Sequence, residues 1–140
     1  MSTDNGDDVA LWLAWKRVGE LTRGRVLADV LAGSPLTEPE LTVLVHLDDA
    51  GGTIRQNALA AAAGWDRTRL SHLLTRMEER GYLTRERLRN GVELTLADPG
   101  RAALAGTRAP LADAVHRHVT NRLTTEQRTA LRTITDALTD

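Results

Sequence analysis

The stretch "GWDRTRLSHLLTRMEERGYL", residues 64–83, carries the signal that ends one helix and the signal that starts the next. Gly64 suits the left-handed conformation that turns a chain after a helix, and Asp66 is placed to cap the helix that follows. Trp65 and Leu70 hold the hydrophobic-staple positions around that cap. Inside the helix Leu70, Leu73, Leu74 and Met77 recur at i, i+3, i+4 and i+7, which makes one buried stripe. Arg67, Thr68, Arg69, Ser71, His72, Thr75 and Arg76 must then lie on the other faces, and Gly81 ends the helix. One short helix thus pairs a core stripe with a dense set of hydrogen-bonding side chains.

Upstream, Thr37 and Glu40 form a capping box, flanked by Leu36 and Leu41 as a staple. Pro39 is tolerated in the first turn, and the helix runs to about Asp49, where "AGG" stops it. A short helix over Gln56–Ala63 follows, and its small side chains suit close approach of another helix. Downstream, "YLTRERLRNGVELTL" at 82–96 reads as a β-hairpin. A two-residue Asn90-Gly91 turn would pair Arg87 with Leu94. A three-residue loop, Arg89 to Gly91 with Gly91 left-handed, pairs Leu88 with Val92 and Arg87 with Glu93. The second register separates apolar from charged faces and is preferred.

Asp98 and Pro99 start a helix expected to reach about Asn121 and to bend at Pro110. Thr124 and Gln127 box the last helix, which shows Leu131, Ile134 and Leu138 on one side. At the other end, residues 1 to about 7 read as disordered. A helix over about 8–32, weakened by Gly19 and Gly24, carries Leu11, Trp12, Trp15, Val18, Leu27, Val30 and Leu31.

With 140 residues the chain is most simply one domain, able to bury roughly 70% of its unfolded surface. No apolar run approaches the ~20 residues of a membrane helix, and the acidic start lacks signal-peptide features, so a cytoplasmic location is expected. Cysteine is absent, which excludes disulfides and thiolate chemistry. The net charge of −1 hides a local excess: residues 67–91 hold seven arginines against Glu78, Glu79 and Glu86.

A small-residue helix, a glycine turn, a second helix with a polar face and a hairpin describe a winged helix-turn-helix. A B-form major groove admits one α-helix, arginine pairs bidentately with guanine, and Ser, Thr and His reach bases or phosphates. Arg85, Arg87 and Arg89 on the hairpin would reach phosphates or the minor groove. Double-stranded DNA is therefore the expected partner. Two recognition helices on a dyad would read half-sites ~34–36 Å apart, so a homodimer built from the apolar terminal helices is also expected.

The segments "LTEPELTVLVHL", "GWDRTRLSHLLTRMEERGYL" and "GVELTLADPGRAAL" occur in the order found in the MarR family of bacterial transcriptional regulators. Pro110 in "RAPLADAVHRHV" falls where that family often has a proline, and the resemblance runs from about Leu11 to Leu138. It implies a mainly α fold: a winged helix-turn-helix with a two-stranded β-hairpin wing, plus N- and C-terminal dimerisation helices. Residues 1–140 would form a single such domain, with the DNA-binding lobe at about 37–97 and dimerisation helices at about 8–32 and 99–139.

The resemblance assigns Arg67, Thr68, Arg69, Ser71, His72 and Arg76 to the recognition helix, with His72 standing where many members have arginine. It assigns Arg85, Arg87, Arg89 and Asn90 to the wing. That wing departs from the family pattern, being a few residues short and lacking the Asp-x-Arg element. Repression by occluding a promoter at a pseudo-palindromic operator is the function implied. A small, often aromatic or anionic, effector is implied as well, and Trp12, Trp15 and His46 are the candidates to line its pocket.

Other chemistries find no support. No nucleophile–base pair, phosphate loop or metal-ligand spacing appears, so neither an enzyme nor a cofactor is expected. His116 and His118 are two apart, on roughly opposite sides of a helix, and do not read as a metal pair. The alternative to a DNA-binding regulator is a winged-helix interaction module whose arginines meet an acidic protein partner.

Overall fold

The computed structural model describes residues 2–139. In chain order the elements are helices α1 (Ser2–Leu31) and α2 (Glu38–Asp49), strand β1 (Thr53–Arg55), helices α3 (Gln56–Ala63) and α4 (Arg67–Glu79), strands β2 (Leu83–Leu88) and β3 (Gly91–Leu96), and helices α5 (Asp98–His118) and α6 (Thr125–Thr139). A single 3₁₀ turn covers Thr120–Arg122. The chain divides into two compact units: Gly33–Ala109, and the residues up to Ala32 together with those from Pro110 onward.

Local chemistry places the helix starts of the winged unit. Thr37 accepts from the Glu40 amide at 3.4 Å while the Glu40 carboxylate accepts from the Thr37 amide at 2.9 Å, closing the capping box. Asp66 caps α4 by accepting from the Arg69 amide at 3.0 Å. Gly64 has φ 68°, a left-handed value that its lack of a side chain makes inexpensive, and it turns α3 into α4. The core is built from Val43, Leu44 and Leu47 of α2, Leu59 of α3, Leu70, Leu74 and Met77 of α4, and Leu83 and Leu94 of the sheet, all fully buried.

The expected two-stranded hairpin wing is β2–β3, and a third strand, β1, joins it in the sheet. Its order is β1-β3-β2, with Ile54 of β1 opposite Leu94 and Arg55 opposite Glu93. β2 and β3 pair Leu83 with Leu96, Arg85 with Leu94, Arg87 with Val92 and Leu88 with Gly91. The loop is thus Arg89-Asn90, neither of the two registers weighed from the sequence. β3 is the central strand, and burying Leu83, Leu94 and Leu96 together on the helix side decides the register. Segregating charges across one hairpin carries less weight. Arg85, which the expected register would have turned elsewhere, sits opposite Leu94 and sends its guanidinium to α4.

In the second unit α1 begins at Ser2, not near Asp8, and runs unbroken through Gly19 and Gly24. No proline interrupts this stretch, and extending a formed helix costs little compared with nucleating one. Val26, Val30 and Ala114 are buried. Asp29 of α1 is bonded by Arg117 at 2.7 Å and lies 2.6 Å from His118 Nε2, both on α5. The His118 hydrogen bond is the main influence on the Asp29 carboxyl. It outweighs an opposing desolvation and, with Arg117, holds the group below its ordinary 3.8. α5 stops at His118 rather than Asn121, and α6 opens on the reciprocal Thr124–Gln127 box. Val9, Leu11, Trp12, Leu13, Trp15 and Val18 of α1 and Ile134 and Leu138 of α6 are all exposed.

Candidate nucleic-acid interface

With Leu70, Leu73, Leu74 and Met77 turned into the core, α4 presents Arg67, Thr68, Arg69, His72, Thr75 and Arg76 to solvent and leaves Ser71 half-buried. Helical geometry puts Arg69, His72 and Arg76 in neighbouring positions at i, i+3 and i+7. The Thr75 hydroxyl donates to the Ser71 carbonyl at 3.0 Å and accepts from Arg85 at 2.9 Å.

Ten arginines and no lysine supply the positive charge of the winged unit, and their partners sort them. Arg101 pairs with Asp98, and Arg108 reaches Asp49 at 2.7 Å and Asp48 at 3.5 Å. Arg80, just past the end of α4, bonds the buried Glu40 at 2.8 Å, the Tyr82 hydroxyl at 2.9 Å and the Pro35 carbonyl at 3.3 Å. Its guanidinium carbon also lies 4.8 Å from the Tyr82 ring centroid. Arg85 bonds Glu78 through both its backbone amide and its guanidinium. Arg55 bonds Asn90. The guanidinium groups of Arg67, Arg69, Arg76, Arg87 and Arg89 have no hydrogen-bond or ion-pair partner among the described residues. All five lie on α4 or the hairpin.

Two of the wing residues singled out from the sequence are therefore engaged within the protein. Arg85 straps β2 to α4, and its side chain is only 22% exposed against 39% for Glu78. Asn90, in the hairpin loop, accepts from Arg55 Nη1 at 3.0 Å. Arg55 carries no signal in the sequence. Its link to the wing spans 35 residues and depends on a three-residue strand too short to show a period.

Of the residues considered for an effector pocket, Trp12 and Trp15 are exposed on α1 in the terminal-helix unit, and His46 is half-buried on α2 in the winged unit. His116 shares a 3.3 Å contact with Thr120, and His118 faces Asp29. Among the described residues no group of three or more His, Asp or Glu is arranged to hold a metal, and no helix is long and apolar enough to cross a membrane.

Comparison with known proteins agrees with this geometry. Residues 34–91 match the MarR family model. AbsC, a MarR family transcriptional regulator from Streptomyces coelicolor, is 28% identical over 92% of both chains, with a TM-score of 0.81. Sco3205, a MarR family transcriptional regulator from the same organism solved in complex with DNA, is 26% identical. That match covers 95% of this chain and 86% of the other, with a TM-score of 0.84. A mutant MarR from E. coli complexed with operator DNA shares the fold, with a TM-score of 0.80 at 21% identity over 94% of this chain and 95% of that one. No protein among those with curated functions matches the sequence significantly.

Proposed function

We propose, from the chain's place with the MarR family of transcriptional regulators, that it is a sequence-specific DNA-binding regulator acting as a homodimeric repressor. The observation that carries this reading is the sorting of arginines. Half of those in the winged unit have partners within it, and those left without partners gather on α4 and the wing. Unpartnered guanidiniums confined to one helix and one hairpin suit a polyanion with grooves better than a diffuse charged surface would. α4 enters the major groove, where Arg69 and His72 reach base edges and Arg67, Thr68, Ser71 and Arg76 meet bases or phosphates. Arg87 and Arg89 reach the flanking backbone or minor groove.

Pairing through the exposed apolar residues of α1 and α6 supplies the second recognition helix, and a pseudo-palindromic operator follows from the dyad. Occupancy of that operator blocks the promoter, and a small aromatic or anionic effector relieves the block by changing the spacing of the two helices. Selection of binding sites from random duplex DNA tests the reading. A recovered motif with two inverted half-sites about one helical turn apart supports it. A pool that remains random after selection counts against it and favours an acidic protein partner.

A further inference from the structure

Resting on that DNA-binding reading, we propose that Arg55 is a positioning residue for the wing: it fixes the hairpin tip from the neighbouring strand so that Arg87 and Arg89 meet DNA in a preset geometry. Arg55 closes β1, opposite Glu93 of the central strand, and the next residue begins α3. From there its side chain reaches past the end of strand pairing. Nη1 donates to Asn90 Oδ1 at 3.0 Å, and Nε lies 3.9 Å from Glu93 Oε2. A methyl group built on Gly91 would also sit 3.7 Å from Arg55 Nη1, so the guanidinium lies against the loop backbone.

The charge matters as well as the hydrogen bond. In the β2–β3 register Glu86 stands directly opposite Glu93, and like charges across a pair of strands disfavour the hairpin. Arg55 places a positive group beside Glu93 and offsets that repulsion two residue pairs before the loop. Arginine suits both tasks, because its planar fork presents Nη1 to one partner while Nε faces another, which a lysine ammonium does not reproduce. The two wing arginines without partners lie within three residues of Asn90. A tip held before binding loses less conformational entropy on binding than a loose one. This short wing thus gains rigidity from β1.

The test uses the full chain and a duplex recovered by selection with the wild-type protein. Affinity is measured across salt for wild type, Arg55→Gln, Asn90→Ala and the double variant, with backbone amide order parameters of residues 89–91 measured in the DNA-free proteins. Each single variant is expected to weaken binding three- to tenfold. The double variant should be no weaker than the poorer single, because both remove one interaction. Preference among half-site variants should stay unchanged, and the tip order parameters should fall in all three variants. Arg55→Lys should lie between Arg55→Gln and wild type.

Several outcomes overturn the proposal: penalties that multiply in the double variant, a loss with Arg55→Gln but none with Asn90→Ala, or no loss in either. The first two would make Arg55 a direct DNA contact. Asn90→Ala alters one exposed loop side chain, so a folding defect in Arg55→Gln does not remove the test. If the wild type prefers no DNA sequence, the regulator reading fails by itself. The order parameters then decide the brace alone, and an unchanged tip overturns it.

Discussion

Arg76 and Arg80 leave α4 one turn apart, yet they do different work. Arg80 is held by Glu40, Tyr82 and the Pro35 carbonyl, so it ties the end of α4 to the start of α2. Glu40 is only 4% exposed, and removing its cation would leave a buried carboxylate with just the Thr37 amide. Arg80→Ala should therefore cost about 1–3 kcal/mol in thermal or urea unfolding, with DNA affinity per folded molecule unchanged. Arg76 has no such partner, and the same holds for Arg69 and Arg87. If α4 reads bases while the wing meets the backbone, Arg69→Ala and His72→Ala should change the preferred sequence in a competition assay. Arg87→Ala should weaken all duplexes alike and make the salt slope shallower by about one. Equal losses on every sequence for all three variants would remove that division of labour.

At the scale of elements, what is legible in the sequence is what lies within two helical turns. The Thr37–Glu40 and Thr124–Gln127 boxes, the Asp66 cap, the Gly64 turn and the α4 stripe each involve residues no more than seven apart, and each is found. β1 is not legible, because three residues carry no period, and without β1 the hairpin reads as two strands alone. For two strands alone the charged pairing of Arg87 with Glu93 is decisive, whereas in the fold Glu93 lies beside Arg55 and Arg85 belongs to Glu78. The same short range explains why engaged and unengaged arginines looked alike: Arg80 meets Glu40 across 40 residues.

Another non-local contact makes a sharp prediction. A Cβ on Gly100, in the first turn of α5, would lie 2.2 Å from the Tyr82 carbonyl oxygen, which already accepts from Ala97. Backbone cannot yield cheaply there, so Gly100→Ala should destabilise the protein by about 1–3 kcal/mol in thermal unfolding. Asp29 links α1 to α5 and has its carboxyl held below 3.8. A depressed folded-state value adds stability that is complete above the unfolded value and drains away as pH falls through the folded one. Asp29→Asn should accordingly flatten the acid limb of the stability profile below about pH 4.

For the whole molecule, the unspent surface is as informative as the core. Leu11, Trp12, Leu13 and Val18 leave α1 with exposed apolar side chains of the kind subunit interfaces bury, and α6 adds Ile134 and Leu138. Sedimentation should show a dimer, and Trp12→Glu should shift it toward monomer while leaving the winged unit folded. That variant should lose far more affinity for a two-half-site duplex than for a single half-site, since only the dimer joins two recognition helices.

The most direct test of the central claim is fluorescence anisotropy at several salt concentrations, comparing a selected duplex, or the DNA upstream of the gene, with a scrambled duplex of equal length. Specific recognition by a dimer predicts strong preference for the specific duplex near physiological salt, two protomers bound per site, and affinity that falls steeply as salt rises. Equal affinity for both duplexes at every salt concentration would contradict it and would leave the arginines of α4 and the wing to an acidic protein partner.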